Sequence, residues 1–185
     1  MTTPESFQTE RLILRAPVLQ DARAIFEAYA CDSAVTRYLA WRPHRTITDA
    51  AEFLTKCFFM RQEKIAFPYA ITLRESGKLI GMIEMRFDEC RMDIGYVLAA
   101  AYWNQGYMTE AVRAVISWGL DQKEIYRVWA YCDTENHPSA RVLEKAGMLR
   151  EGVLRRWMVL PNLSDTPRDC YAYSIVKESS AREGG

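Results

Sequence analysis

The sequence predicts a single α+β domain, and three observations carry that prediction. First, strand-like runs with alternating apolar residues form a meander over the first half of the chain. Second, the stretch from Tyr96 to Ala111 passes from an apolar strand through the polar turn Asn104-Gln105-Gly106 straight into a helical pattern. Third, a helix that starts at Asn136 and stops at Gly147 lies between further strands. Together they give a meander followed by a β-α-β-α-β-β arrangement, with no repeat, low-complexity segment or linker dividing it.

Arg11 to Ala16 reads as the first strand, and Pro17 ends it. Asp21 to Ala30 has helical spacing through Ala22, Ile25, Phe26 and Tyr29. Cys31 to Arg45 is irregular and reads as a loop carrying Tyr38, Trp41, Arg42 and His44. A second helix follows, for which Asp49 is the expected cap with Glu52 as its capping-box partner. Pro68 to Leu73 and Lys78 to Phe87 form a hairpin about Glu75-Ser76-Gly77, and Met92 to Leu98 is the next strand. Tyr107 to Leu120 is helical, and Arg127 to Cys132 is a strand. Met148 to Val159 and Cys170 to Lys177 close the domain across the loop Leu160 to Arg168. The domain is expected over residues 1–178, with 179–185 as a frayed tail.

Bulk properties narrow the function. With 185 residues, 49% of them apolar, the chain has enough material for one substantial core. Lys+Arg and Asp+Glu balance at 24 each, so overall charge gives no argument for nucleic acid or membrane surfaces as partners. Five scattered cysteines without CxxC spacing fit reduced thiols, and the two histidines share no metal-ligand spacing with them. No apolar run is long enough to span a bilayer, and the polar N-terminus lacks a signal-peptide core. A cytoplasmic protein without a bound metal is the expectation.

The strand–turn–helix at Tyr96 to Ala111 is chemically informative. A tight turn feeding a helix start leaves backbone N–H groups without helical acceptors, and such groups bind phosphates. Taken with three other elements, it resembles the GNAT N-acetyltransferase superfamily. Trp103-Asn-Gln-Gly-Tyr-Met108 matches that family's phosphate signature at its central glycine, while Trp103 and Met108 depart from it. The block from Asp133 to Met148 resembles the Asn-x-x-Ser element of one branch, the ribosomal-protein alanine N-acetyltransferases. Thr9-Glu-Arg-Leu-Ile-Leu-Arg15 is similar to that branch's opening strand, and Asp169-Cys-Tyr-Ala-Tyr-Ser-Ile175 to its closing one. Four elements in order cover nearly the whole chain.

The resemblance implies a mixed central sheet, splayed at the cofactor strand, with helices on both faces. It implies acetyl-CoA as co-substrate and a primary amine as acceptor, either a protein N-terminus or a small amine. Asn104, Gln105, Gly106, Tyr107, Met108 and Thr109 would surround the pyrophosphate. Val97 and Leu98 would pair with the pantetheine arm through their backbones, and Leu98 N–H could steady the carbonyl oxygen. Asn136 would hold the pantetheine amide while Ser139 supplies a proton to the departing thiolate. Read as residues alone, Asn136 is an N-cap and Ser139 at N3 needs no further role.

Deprotonating the amine calls for a base, because free amines are largely protonated at neutral pH. Strand alternation puts Asp93, Gly95 and Val97 on one face, so Asp93 stands beside a glycine with room for a substrate. Asp93 is the first choice, on the strand where the family often carries its acid. Glu84 comes second and could instead pair with Arg86. No carboxylate lies near Met158, where some members place a base, and Glu151 is the nearest acid on that strand. Tyr131 and Tyr173 are further hydroxyl candidates. Met108 is expected to crowd a phosphate if its side chain faces one. Direct attack in a ternary complex is preferred over an acetyl-cysteine route, since nothing in the sequence lowers the thiol pKa of Cys90 or Cys132. The alternative function is a CoA-binding module without catalysis. A homodimer is compatible with the exposed strand edges of such a fold.

Overall fold

The computed structural model describes residues 2–178. The expected tail, 179–185, lies outside them. The elements in order are β1 (Ser6–Gln8), β2 (Leu12–Arg15), α1 (Ala22–Ile25), α2 (Ser33–Thr36), α3 (Ile47–Gln62), β3 (Phe67–Leu73), β4 (Leu79–Asp88), β5 (Arg91–Leu98), α4 (Tyr107–Asp121), β6 (Arg127–Asp133), α5 (His137–Lys145), β7 (Leu149–Met158) and β8 (Arg168–Val176). A 3-10 turn precedes α1, and one π turn, Phe26–Ala30, extends it.

The strands build one sheet in the order β1-β2-β3-β4-β5-β6-β8-β7. Every neighbouring pair is antiparallel except β5 and β6, which run parallel and are joined through α4. Period-2 alternation sends neighbouring residues to opposite cores. Tyr69 and Ile71 of β3 join Ile83, Met92, Val112, Val115 and Leu143 in the core under α4 and α5. Ala70, between them, joins Ile25, Tyr29, Leu54, Cys57 and Met82 under α1 and α3. Each fully buried Leu or Ile here contributes roughly 1.5–3 kcal/mol. Helices therefore cover both faces of a mixed sheet, as expected.

The feature that creates a site is where pairing stops. β5 and β6 align only over Arg91–Asp93 and Arg127–Trp129. Beyond Asp93, the last five residues of β5 keep β4 on one side and have no strand on the other. The sheet opens there as a V, and α5 begins at the mouth.

Three local expectations are corrected. Ser6–Gln8 is a strand that sequence periodicity missed, because three residues show no period; Phe7 anchors it edge-on against Tyr69 and Trp118. The segment read as loop contains α2, capped by Asp32, whose carboxylate accepts from Ala34 N and Val35 N. The cap of α3 is Thr46, with Asp49 as its reciprocal partner at N3. Asp49 Oδ2 accepts from Thr46 N at 3.0 Å and from Arg45 N at 2.7 Å. The capping box is real but begins three residues before the expected one.

Candidate active site

The turn after β5 is built by two left-handed residues, Asn104 (φ 59°) and Gly106 (φ 82°), close together. Asn tolerates that region better than most residues, and Gly occupies it without strain. Gly106 caps α4, and Glu110 N donates back to Gly106 O at 3.0 Å. Among the described residues, the N–H groups of Asn104 through Thr109 find no acceptor within the protein. Those donors, at the positive end of a fifteen-residue helix, suit an anion. Met108 does not crowd the spot: its side chain is buried in the core with Val112 and Ile116. A methionine at this position is thereby compatible with a phosphate outside.

Arg11 braces this turn, which the sequence alone did not disclose. Its guanidinium meets Glu110 at 2.6 Å, donates to Gln105 O at 3.0 Å and lies over the Tyr107 ring at 4.4 Å. Burial pushes the Glu110 carboxyl up, but bonds from Thr9 and from Arg11 more than offset that and hold it below its ordinary value. Trp103, the other departure from the family signature, donates its indole N–H to Leu98 O at 2.7 Å and ties the turn to the end of β5.

A cleft of about 1100 Å³ runs along this turn. It is lined by Val97 and Leu98 on one side, Asn104, Gly106, Tyr107, Met108 and Thr109 at the turn, and Asn136 and Ser139 from α5. Gln105 is the one predicted turn residue outside that lining. Cations Arg113, Arg141 and Lys145 border the same cleft. Volume, orphan donors and flanking cations fit a molecule the size of coenzyme A with several phosphates.

A second cleft, about 310 Å³, lies on the other side of the V. Its walls include Trp41, Phe53, Met82, Glu84, Arg86, Gly95, Tyr131 and Leu160. Tyr38, Leu39, Tyr96, Val97, Asn136 and Ser139 line both clefts, so the two meet at the open end of β5. Asn162 fastens the rim by donating to Thr36 O at 2.7 Å and to Trp41 O at 2.8 Å.

The acids are arranged around one arginine. Arg86 Nε donates to Asp93 Oδ2 at 2.7 Å, and Arg86 Nη1 bonds Glu84. Burial raises both carboxyl pKa values, with Arg86 pulling each back in part. Asp93 Oδ1 is buried without a hydrogen-bond partner. Asp93, the first-choice base, lies outside the lining of both clefts, whereas Glu84 forms part of the smaller one. Glu151 is engaged elsewhere: Arg127 and Ser174 hold it down to about 2. Tyr173 donates to Glu144 at 2.9 Å and faces neither cleft.

Asn136 caps α5 by accepting from Ser139 N at 3.2 Å. Ser139 Oγ lies 2.8 Å from the hydroxyl of Tyr96. The buried thiols are poor nucleophiles, since burial pushes Cys132 and Cys57 up to about 12 and Cys170 to about 11. Of the acceptor-loop residues, Trp41 and Tyr38 reach the smaller cleft; His44 does not and stacks between Trp41 and Phe53. Among the described residues, no group of three His, Cys, Asp or Glu is placed to hold a metal ion.

A family model, the acetyltransferase (GNAT) domain, matches residues 11–149. The chain belongs to the GNAT acetyltransferase family. As a member it is an enzyme, an acetyl-CoA-dependent N-acetyltransferase. It is 35% identical over 173 residues to the uncharacterized N-acetyltransferase YoaA of Bacillus subtilis, a match spanning 92% of this chain and 96% of that one. A crystal structure of a GNAT-family acetyltransferase from Bacillus anthracis superposes with a TM-score of 0.80 at 31% identity, covering 92% of this chain and 98% of that one. The ribosomal-protein-S5-alanine acetyltransferase of Vibrio fischeri shares the fold, with a TM-score of 0.77 at 22% identity over 94% of this chain and 97% of that one. For a GNAT acetyltransferase, the V between β5 and β6 is the expected opening of the sheet at the cofactor strand.

Proposed function

We propose that this GNAT acetyltransferase moves an acetyl group from acetyl-CoA to a primary amine, a protein N-terminus or a small amine, by direct attack in a ternary complex. One observation carries the proposal: a cleft with a turn of unpaired N–H donors and a cleft with a partly buried carboxylate meet at Tyr96, Val97, Asn136 and Ser139. The fold shared with an S5-alanine acetyltransferase is compatible with a protein acceptor, and the modest size of the smaller cleft with either acceptor.

When bound, acetyl-CoA supplies a thioester carbonyl and a thiolate leaving group. The N–H groups from Asn104 to Thr109 hold its phosphates, with Arg113, Arg141 and Lys145 alongside. Beyond Asp93, β5 has no strand among the described residues on the side away from β4, and Val97 lines the cleft there. Leu98 N–H alternates to that free side, because Ala99 N–H bonds Ile80 O of β4. There it would meet the pantetheine arm and steady the carbonyl oxygen as negative charge develops. Asn136 holds the pantetheine amide, and Ser139 donates a proton toward sulfur. The carboxylates of Glu84 and Asp93, bridged by Arg86, take up the proton of the amine. Glu84 is the member facing the acceptor cleft, and Asp93 holds Arg86 from behind. A placed base of this kind contributes roughly 10²–10⁴-fold.

Thiol release from acetyl-CoA, measured across a panel of N-terminal peptides and small amines, tests the reading. Acceptor-dependent release with an acetylated amine as product is expected. Tight CoA binding with no release from a broad panel would favour a non-catalytic CoA-binding module instead. We further place the enzyme in the cytoplasm, where five free thiols would remain reduced; no helix among the described residues is long and apolar enough to cross a membrane. Edge strand β7, with Leu149 and Val153 exposed, offers a surface for homodimer formation that light scattering would detect.

A further inference from the structure

Tyr96 has no part in the chemistry just described, yet it lines both clefts. It follows Met92 and Ile94 on the side of β5 that faces α4 and α5. At its level β6 has already parted from β5, so its hydroxyl reaches across the gap to the first turn of α5. There it lies 2.8 Å from Ser139 Oγ and 3.2 Å from the Ser139 carbonyl oxygen. Ser139 is held independently, through its N–H bond to Asn136 Oδ1.

A tyrosine hydroxyl carries one proton, and so does a serine hydroxyl. Within the pair, one oxygen donates to the other. When the phenol donates to Oγ, the serine proton is released to point elsewhere. When serine donates to the phenol, that proton is turned away from the junction of the clefts. A free phenol is more acidic than a serine hydroxyl, which favours the first arrangement, and burial raises the Tyr96 pKa so that the phenol keeps its proton to donate. The Ser139 carbonyl competes for the same phenolic proton, but at the longer distance. Without the phenol, Ser139 Oγ would be free to turn back onto a helix carbonyl, as serines in helices commonly do.

We propose that Tyr96 is a positioning residue that donates its single hydroxyl proton to Ser139 Oγ and so leaves the Ser139 O–H aimed into the junction of the two clefts, toward the departing sulfur. The assignment rests on the acetyl-transfer reading and adds to it a residue that acts through Ser139 without touching the reacting atoms.

The test is a double-mutant cycle of Tyr96→Phe and Ser139→Ala, reading kcat and the KM for acetyl-CoA separately. Tyr96→Phe is expected to lower kcat about five- to tenfold, the range one neutral hydrogen bond supports, and to leave KM within about twofold. The double variant is expected to match Ser139→Ala alone, because both changes remove one function. Losses that multiply, or wild-type kcat in Tyr96→Phe, would overturn the proposal. A fluorotyrosine at position 96 keeps the ring and the donor, so it guards against a folding artefact. It is expected to retain kcat below the pH at which it ionises, and a tenfold loss there would also overturn the assignment. If the wild-type enzyme releases no thiol with any amine, the acetyl-transfer reading fails, an outcome separate from a wild type that is active and a Tyr96→Phe variant that equals it.

Discussion

Arg86 decides how the two acids of the site behave. Bound to both Glu84 and Asp93, it pulls each carboxyl pKa back down in part, while burial holds each above its ordinary value. A base with a raised pKa is protonated at acid pH, so kcat/KM should climb as pH rises through that value. Glu84→Gln is expected to lower kcat/KM by about 10²-fold and to flatten the acid limb. Asp93→Asn should cost less, because Asp93 sits behind Arg86 and outside both clefts. A full pH–rate profile of each variant checks this. A Glu84→Gln enzyme with an unaltered acid limb would remove Glu84 from the role. At this scale the sequence displayed whatever acts locally. Gly106 was visible as a turn glycine and Asn136 as a cap, because turns and caps are written within a few residues. Arg11, Tyr96 and the lining position of Glu84 were not, because each depends on a partner or a wall contributed by distant segments.

The cofactor strand depends on a glycine in its neighbour. Gly81 of β4 pairs with Leu98, and a Cβ at Gly81 would lie 2.3 Å from Val97 O and 3.2 Å from Leu98 Cα. Those are backbone atoms, so no side-chain rotation relieves the contact. Gly81→Ala must push β5 away from β4 at the residues proposed to carry the pantetheine arm. The expected cost is about 1–3 kcal/mol in unfolding free energy, with CoA affinity weakened as well. Urea melts and calorimetric CoA titration read the two effects, and an unshifted midpoint with unchanged affinity would refute the close approach. In sequence, Gly81 is an unremarked glycine within a strand, since the contact belongs to strand pairing. Element type was legible from period 2 and period 3.6, which is why β3 through β8, α4 and α5 fall where expected to within one or two residues. The capping box of α3 was harder. Asp49 and Glu52 satisfy the same spacing rule as Thr46 and Asp49, and only backbone geometry chooses between them.

For the whole molecule, the order of elements revealed the family, and the parting of β5 from β6 is what that order means in space. The acceptor side was less legible, because its walls come from segments scattered between Tyr38 and Leu160. The smaller cleft at that parting holds Glu84, a partly buried carboxylate, where a base is wanted, and that sets stability against activity. A carboxyl whose pKa is raised by folding contributes stability fully below its unfolded value and loses it as pH rises through the folded value. Glu84 and Asp93 are of this kind. Glu110 and Glu151 are the reverse, stabilising above the ordinary carboxylate range and less so as pH falls. His44, lowered mainly by burial, adds stability as pH rises through the usual histidine value. The wild-type profile mixes all three trends, but a difference between two proteins isolates one. Glu84→Gln removes the ionisation that opposes folding and leaves Arg86 paired with Asp93. The variant should therefore gain stability relative to wild type as pH climbs through the raised Glu84 value, over the same range in which the wild type gains activity and the variant does not. Denaturant midpoints of the two proteins from acid to neutral pH, alongside their kcat/KM, would show the two curves separating in opposite directions. A stability difference constant with pH would mean that Glu84 ionises in the fold as it does in water, and would count against its burial at the acceptor cleft.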